Sequence, residues 1–241
     1  MGCKKIEMGT LYGIGVGPGD PELITLKAIN ILKRVAVVYA AASTKNNYSV
    51  AVEIVSPHLQ ENVPVEHLGF PMSLDRKELA MAWEENAIKV LKRLKDGKDA
   101  AFVTLGDPLI YSTFGYLMQT IKGIEPYISV QAIPGITSFQ AGAASAGMVL
   151  TEGEESLTLF SGALGADKLR RTIGHTDNMV MLKVYRNYKE IMDTLDQLDL
   201  ADKSVLISRC GLDGEEVIKD IKSRSDKVPP YLSLLLIKKK R

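Results

Sequence analysis

Short apolar runs alternate with amphipathic segments along almost the whole chain, and this alternation limits the folds open to it. The runs at 10–17, 35–40, 100–105 and 128–133 are rich in Val, Ile, Leu and Ala, as buried strands are. The segment 75–95 instead repeats apolar residues every three or four positions, which is typical of a helix with one buried face. Strands that alternate with helices predict an α/β fold with helix-covered sheets.

The second half of the chain continues the alternation after the turn at 151–155. Four more strands are predicted, at 156–162, 178–185, 204–210 and 231–237. The other helices are predicted at 22–34, 49–56, 112–122, 136–147, 166–173 and 188–198. A chain of 241 residues can form two modest domains, and we predict α/β domains at 1–126 and 127–241.

Composition excludes several classes of function. Lys and Arg number 30 and Asp and Glu 29, so no charge excess indicates binding to nucleic acid or to an anionic membrane. Cys3 and Cys210 have neither metal-ligand spacing nor a disulfide pattern, so we expect a reduced, cytoplasmic protein without a metal site. No apolar run suits a signal peptide or reaches the 18 residues of a membrane span.

The loop at 13–20, "GIGVGPGD", looks like a nucleotide-binding loop but lacks the required spacing. A dinucleotide loop that starts at Gly13 needs glycine where Pro18 stands, and one that starts at Gly15 needs glycine where Asp20 stands. The Gly-Lys-Ser/Thr of a phosphate loop is also absent. Nicotinamide and ATP are therefore not favoured. A tight turn with a helix cap at Asp20 and a close approach of backbone to another ligand both remain possible.

A second loop raises the same question. In "AFVTLGDPLIYSTFGY", residues 101–116, an apolar run stops at Gly106-Asp107-Pro108 and a helical pattern follows. These three residue types favour turns, so a plain connection between strand and helix explains them. Ligands also bind at the carboxyl ends of strands in α/β sheets, so a binding site explains them equally well.

Three segments taken together resemble the tetrapyrrole methylase family: 13–28, 103–117 and 133–141. Members of that family transfer a methyl group from S-adenosylmethionine to a tetrapyrrole. The resemblance extends from about residue 9 to residue 237. The segments "FPM" (70–72), "YST" (111–113) and "MLKVYR" (181–186) look like the members that methylate carbon C20 of precorrin-2 or cobalt-factor II. Uroporphyrinogen methylases carry "FGRG" after the Gly-Asp-Pro, and this chain does not.

The resemblance implies two α/β domains with S-adenosylmethionine in the cleft between them, a tetrapyrrole substrate and a homodimer. It also implies a set of cofactor-binding residues: Pro18, Gly106, Asp107, Ile110, Thr137, Ser138, Lys183 and, less securely, Gly211. Lys183 stands where uroporphyrinogen methylases carry methionine, so contact with adenine and contact with substrate carboxylates both stay open.

The implied reaction places the new methyl group on C20, and most of the rate can come from holding the reactants in line. A side chain can then remove the C20 proton, and the candidates are Asp107, Tyr111 and Tyr185. We favour Tyr111 because the Tyr-Ser-Thr is where this branch differs; core packing at a helix start is the alternative.

The substrate carries many carboxylates and a flat macrocycle. The expected contacts are Lys45, Phe70, Met72, Arg76 and Arg186; solvated surface charges and a buried corner at Phe70 are the alternatives. Cobalt would enter as part of the substrate, and we expect the cobalt-containing form. A metal-free precorrin-2, another ring carbon, the uroporphyrinogen step and a non-enzymatic binding module remain alternatives.

Overall fold

The computed structural model describes residues 7–42, 49–71, 73 and 75–239 and divides into two compact units, Met1–Thr137 and Ser138–Arg241. The first unit contains the strands β1 Leu11–Gly15, β2 Val37–Ala42, β3 Val65–Gly69, β4 Ala100–Thr104 and β5 Val130–Ile133. Its helices are α1 Leu26–Leu32, α2 Val50–Val55, α3 Arg76–Lys95 and α4 Phe114–Ile124. The units divide later than the predicted boundary at 126/127, because β5 pairs with β1.

The sheet of the first unit has the order β3-β2-β4-β1-β5, and each of these pairings is parallel. Every strand therefore ends at the same edge of the sheet. β1 and β4 are neighbours, yet the chain continues from β1 to β2 and from β4 to β5, toward opposite ends of the sheet. Such a switch in strand order leaves a crevice beyond the strand ends, where ligands of α/β proteins bind.

Both faces of this sheet are buried. Along β1, Tyr12 and Ile14 pack with α1 and α2, whereas Leu11 packs with α3 and α4. Gly13 leaves room for the ring of Phe114, since a Cβ atom there would lie 2.2 Å from two of its ring atoms. The ring of Phe114 in turn packs against Phe102, with centroids 5.9 Å apart. The start of α4 is thereby fixed in the core.

Two helices begin later than the sequence pattern predicts, because side chains upstream bind the first free N–H groups. Asp20 caps a 3₁₀ turn, Pro21–Leu23, and Thr25 then accepts a hydrogen bond from Ala28 N, so α1 starts at Leu26 rather than residue 22. Ser112 accepts from Phe114 N at 3.1 Å, and α4 starts at Phe114 rather than residue 112.

The second unit contains the strands β6 Leu157–Ser161, β7 Asn178–Leu182, β8 Ser204–Ser208, β9 Glu216–Ile218 and β10 Ser233–Lys238. Its helices are α5 Ser138–Ala146, α6 Asp167–Thr172 and α7 Tyr188–Gln197. The sheet order is β6-β7-β10-β8-β9. β6 and β7 run parallel, while β10 is antiparallel to β7 and β8, and β9 to β8. The sequence pattern did not predict β9, which has three residues.

Strands β7 and β8 end earlier than predicted. Lys183 follows β7 with a φ of 59°, and Arg209 follows β8 with a φ of 53°. A residue in the left-handed region cannot continue a strand. The residues after Lys183 form a 3₁₀ turn, Val184–Asn187, instead of the predicted extension of β7.

A buried amide fixes the end of β3. Asn86, on α3, is 8% exposed and donates a hydrogen bond of 2.7 Å from Nδ2 to the carbonyl oxygen of Gly69. A hydrogen bond of this kind contributes about 0.5–1.5 kcal/mol to stability. We expect Asn86→Ala to lower the free energy of unfolding by that amount in urea denaturation. Glu85→Ala, an exposed neighbour, is the control; equal effects of the two changes would contradict the assignment.

Candidate functional site

The loops that follow β1 and β4 are joined directly. Gly17 and Gly106 form an antiparallel bridge, in which Gly106 N donates to Gly17 O at 2.7 Å. Val16 N donates to Thr104 O at 3.0 Å. The two segments that the sequence singled out, 13–20 and 105–113, therefore lie together at the switch in strand order.

Three glycines allow the loops after β1, β4 and β5 to touch through their backbones. A Cβ atom on Gly135 would lie 2.2 Å from the carbonyl oxygen of Gly106 and 2.7 Å from the carbonyl carbon of Gly15. A Cβ atom on Gly15 would meet the Gly106 oxygen at 2.5 Å and Gly135 N at 2.6 Å. No side chain fits at either position, since Cβ atoms do not approach backbone so closely. We call this contact the glycine junction.

Asp107 links the second and third of these loops. Its Oδ1 accepts a hydrogen bond from Leu109 N at 2.9 Å, and its Oδ2 accepts from Gly135 N at 3.1 Å. Both carboxylate oxygens are thus bound to backbone N–H groups. The geometry is that of a brace for the glycine junction.

Gly106 faces open space. Its φ is 71°, in the left-handed region, and a Cβ atom would have only the Cα of Thr137 within reach, at 4.0 Å. Backbone without a side chain beside an open space is what a ligand needs for close approach. Ile110 is half-buried nearby in the same loop, whereas Thr137 and Pro18 are buried. The set offers backbone groups and apolar surface without a phosphate cradle, which fits a sulfonium cofactor.

Tyr111 has an unusual backbone and an accessible side chain. Its φ is 50°, and the residue is 48% exposed. The structure therefore does not support the alternative of core packing for Tyr111. Ser112, the next residue, donates a hydrogen bond of 3.0 Å to the hydroxyl of Thr104.

The predicted residues of the second unit lie at the start of a helix and in the turns after two strands, β7 and β8. Ser138 begins α5, and Lys183 is exposed after β7. Tyr185 accepts a hydrogen bond of 2.7 Å from Nε of Arg186, and its ring meets Tyr231 edge-on with centroids 5.1 Å apart. The contact with Tyr231 joins residues far apart in sequence, and no spacing in the sequence indicates it.

Gly211 lies in a turn held by a carboxylate. Its N–H donates to Oε2 of Glu215 at 2.9 Å, and its φ is 70°. The neighbouring thiol of Cys210 is buried, and burial together with the charge of Glu215 raises its pKa to about 11. Cys210 therefore stays protonated at neutral pH and is a poor nucleophile or metal ligand there.

Of the predicted substrate contacts, Phe70, Arg76 and Arg186 lie among the residues that the structure describes. Phe70 is 8% exposed and packs edge-on against Phe102, with centroids 6.1 Å apart, which favours the alternative of a buried corner. Arg76 is exposed at the start of α3, and Arg186 is exposed after β7. Lys45 and Met72 lie outside the described residues.

Two features are absent from the described part of the chain. It contains no cluster of three or more His, Cys, Asp or Glu side chains placed to hold a metal ion. Within the same residues, no helix combines the length and the apolar character needed to cross a bilayer.

Comparison with known proteins gives concordant matches. The family model described as Tetrapyrrole (Corrin/Porphyrin) Methylases matches residues 10–222. The cobalt-precorrin-2 C(20)-methyltransferase of Salmonella typhimurium is 34% identical over 96% of this chain and 97% of its own length. A probable cobalt-precorrin-2 C(20)-methyltransferase of Methanocaldococcus jannaschii is 35% identical over 95% and 96%.

A solved structure agrees with the fold. The uroporphyrin-III C-methyl transferase from Thermus thermophilus, complexed with S-adenyl homocysteine, superposes with a TM-score of 0.67 at 23% identity, over 95% of this chain and 97% of that one. At this identity the likeness establishes the mixed α/β fold with two sheets.

Proposed function

Because this chain belongs to the tetrapyrrole (corrin/porphyrin) methylase family, we propose that it transfers the methyl group of S-adenosylmethionine to carbon C20 of cobalt-precorrin-2. The observation that carries the choice of ring carbon is the full-length similarity to two proteins named for that reaction. The Tyr111-Ser112-Thr113 segment supports it, since the resemblance to the C20 branch rests there. The enzyme is proposed to act as a homodimer, as the resemblance implies, and in the cytoplasm, as the lack of a disulfide pattern at its two cysteines suggests.

We propose that the loops around the glycine junction hold the cofactor. The backbone of Gly106 faces the open space beside Thr137 and so lies against the methionine end, while Ile110 and Pro18 supply apolar surface. Asp107 keeps the loops together through its two backbone contacts. Ser138, Lys183 and Gly211 complete the proposed cofactor set. When bound, S-adenosylmethionine supplies an electrophilic methyl group on a positively charged sulfur.

The protein's part in the reaction is mainly to orient and enclose the reactants. Rigid loops hold them in line, and this alone can supply much of the rate. Among the three candidates for removing the C20 proton we favour Tyr111, because it is exposed and lies in the Tyr-Ser-Thr segment on which the resemblance to the C20 branch rests. The Tyr111 hydroxyl accepts the C20 proton and releases its own to solvent, which its 48% exposure permits. Arg76 and Arg186 are proposed to meet substrate carboxylates.

The deciding experiment follows the transferred carbon. The protein is incubated with S-adenosylmethionine carrying ¹³C in its methyl group, in parallel with cobalt-precorrin-2 and with metal-free precorrin-2. NMR of the product is expected to locate the label at C20, with the cobalt form turned over faster. Label on another carbon would overturn the C20 assignment, and preference for the metal-free ring would overturn the cobalt assignment. No transfer to either would contradict the function itself.

Tyr111→Phe tests the proposed proton acceptor. Loss of the hydroxyl is expected to slow single-turnover methyl transfer by roughly 10²–10⁴-fold, the range for general base catalysis. The dissociation constant for S-adenosylhomocysteine, measured by calorimetry, is expected to stay unchanged. Tyr116→Phe is the control, because Tyr116 is similarly exposed but stacks on Trp83, with centroids 4.7 Å apart. A wild-type rate in Tyr111→Phe would leave orientation as the main mechanism.

A further inference from the structure

Tyr111 is held in a conformation that residues with a side chain seldom adopt. Its φ of 50° lies in the left-handed region, where glycine is the usual residue. Such a conformation persists only where its neighbours impose it, and it is often found at functional sites. The residues that impose it on Tyr111 are therefore part of the site.

Ser112 directly follows Tyr111 in the chain, and its hydroxyl makes two hydrogen bonds. It donates to Oγ1 of Thr104 at 3.0 Å, and its oxygen accepts from the backbone N–H of Phe114 at 3.1 Å. Serine uses both its donor and its acceptor capacity here. The hydroxyl thereby ties the end of β4 to the beginning of α4 across the loop that carries Tyr111.

Both anchors of this hydroxyl are rigid. Thr104 pairs with Gly15 in the sheet, and its carbonyl oxygen accepts from Val16 N at 3.0 Å. Phe114 is completely buried, with its ring over Gly13 and against Phe102. A hydroxyl fixed at both ends to core positions cannot shift far, so the residue before it is fixed as well.

We propose that Ser112 and Thr104 are positioning residues for Tyr111: their hydroxyl pair holds the Tyr111 backbone in its left-handed conformation and so sets the direction of the phenol. The proposal rests on the proposed function, in which Tyr111 acts on the substrate. It adds two residues that act through Tyr111 and need no contact with the cofactor or the ring.

The first test is a double-mutant cycle on the single-turnover rate. Ser112→Ala is expected to slow transfer roughly 10- to 100-fold, the scale of a small misplacement of a reacting group. In a Tyr111→Phe background the same change is expected to have little further effect, because the phenol that it positions no longer acts. Ser112→Thr restores the hydroxyl and is expected to recover most of the rate lost in Ser112→Ala. Thr104→Val, which removes the partner hydroxyl with little change of shape, is expected to resemble Ser112→Ala.

The second test does not depend on activity. Glycine adopts φ of 50° without strain, so Tyr111→Gly is expected to raise the melting temperature in the wild-type background. In the Ser112→Ala background the loop is free to relax, and the gain is expected to shrink or vanish. Affinity for S-adenosylhomocysteine is expected to stay unchanged in Ser112→Ala, since the glycine junction is not touched.

The outcomes separate the two ideas. Equal rate losses from Ser112→Ala with and without the Tyr111 hydroxyl would show that Ser112 stabilises the helix start only, and would overturn the positioning role. An equal gain from Tyr111→Gly in both backgrounds would overturn it too. If instead the wild-type protein methylates neither ring form, the proposed function fails, while the stability cycle still decides whether Ser112 holds Tyr111.

Discussion

Replacing Gly135 with alanine is expected to abolish binding of S-adenosylhomocysteine and to destabilise the protein. The new Cβ atom would lie 2.2 Å from the carbonyl oxygen of Gly106 and within 2.8 Å of two backbone atoms of Gly15. Backbone cannot rotate away as a side chain can, so the loops after β1 and β4 must move apart. Overpacking of this kind costs about 1–3 kcal/mol or more, and a displacement of about 1 Å in a site can cost 10²-fold in function.

Gly123→Ala provides the matched control. Gly123 lies on α4, where a Cβ atom would meet nothing within 4 Å. The same chemical change should there stabilise the protein by about 0.5–1 kcal/mol, the usual effect of replacing glycine in a helix. Urea denaturation and calorimetric titration measure the two quantities. If Gly135→Ala binds S-adenosylhomocysteine as the wild type does, the glycine junction is not part of the cofactor site.

Gly106→Val is expected to eliminate cofactor binding while the protein stays folded. The side chain would extend into the open space beside Thr137, where the methionine end is proposed to lie. Two effects are combined in this variant, because a branched residue is also strained at a φ of 71°. Gly106→Ala has most of the backbone strain but adds little bulk. Its affinity for S-adenosylhomocysteine should therefore fall much less than that of Gly106→Val.

The strain itself has a control elsewhere in the chain. Gly147, after α5, has a φ of 63°, and a Cβ atom there would meet nothing within 4 Å. Gly147→Val should therefore lose stability comparably to Gly106→Val but keep its affinity for S-adenosylhomocysteine. Folding is checked by circular dichroism and affinity by calorimetry. If Gly106→Val is folded and binds S-adenosylhomocysteine as the wild type does, Gly106 serves only as a turn residue.

The first unit could be predicted well from sequence because its local and global patterns agree. Its three central strands, β1, β2 and β4, are parallel and buried on both faces, so they appear as continuous apolar runs. The bounds of the long helix α3, Arg76–Lys95, were predicted to within one residue, because Asp75 caps the helix and its apolar stripe is regular. The starts of α1 and α4 were missed by two to four residues, since they depend on side-chain hydrogen bonds, at the cap residue Thr25 and at Ser112, that periodicity does not reveal.

The second unit was less predictable because antiparallel pairing has no signature in a single strand. β8, β9 and β10 are consecutive in the chain with no α-helix between them, and β9 and β10 both pair with β8. The ends of β7 and β8 depend on left-handed φ values at Lys183 and Arg209, and neither residue type signals such a turn. For this reason the predicted strands extend beyond the observed ends of β7 and β8.

The turns of the candidate site could be predicted from sequence, but the contacts between them could not. Glycines and a Gly-Asp-Pro predicted turns after β1 and β4, and the structure has turns there, since turn chemistry is local. The roles within the loops depend on long-range contacts: Asp107 reaches Gly135, and Ser112 reaches Thr104. Phe70 is buried against Phe102, which no spacing in the sequence could indicate.

The glycine junction has a consequence for how such an enzyme can change over evolution. Its three loops touch through main-chain atoms and are braced by Asp107, so their mutual arrangement does not depend on the exposed side chains of these loops. Exposed positions on these loops, such as Leu109 and Tyr111, can be exchanged without moving the junction. New ring carbons or new macrocycles can then be selected by substitution at the rim, while the part that is proposed to hold the methyl donor is inherited intact.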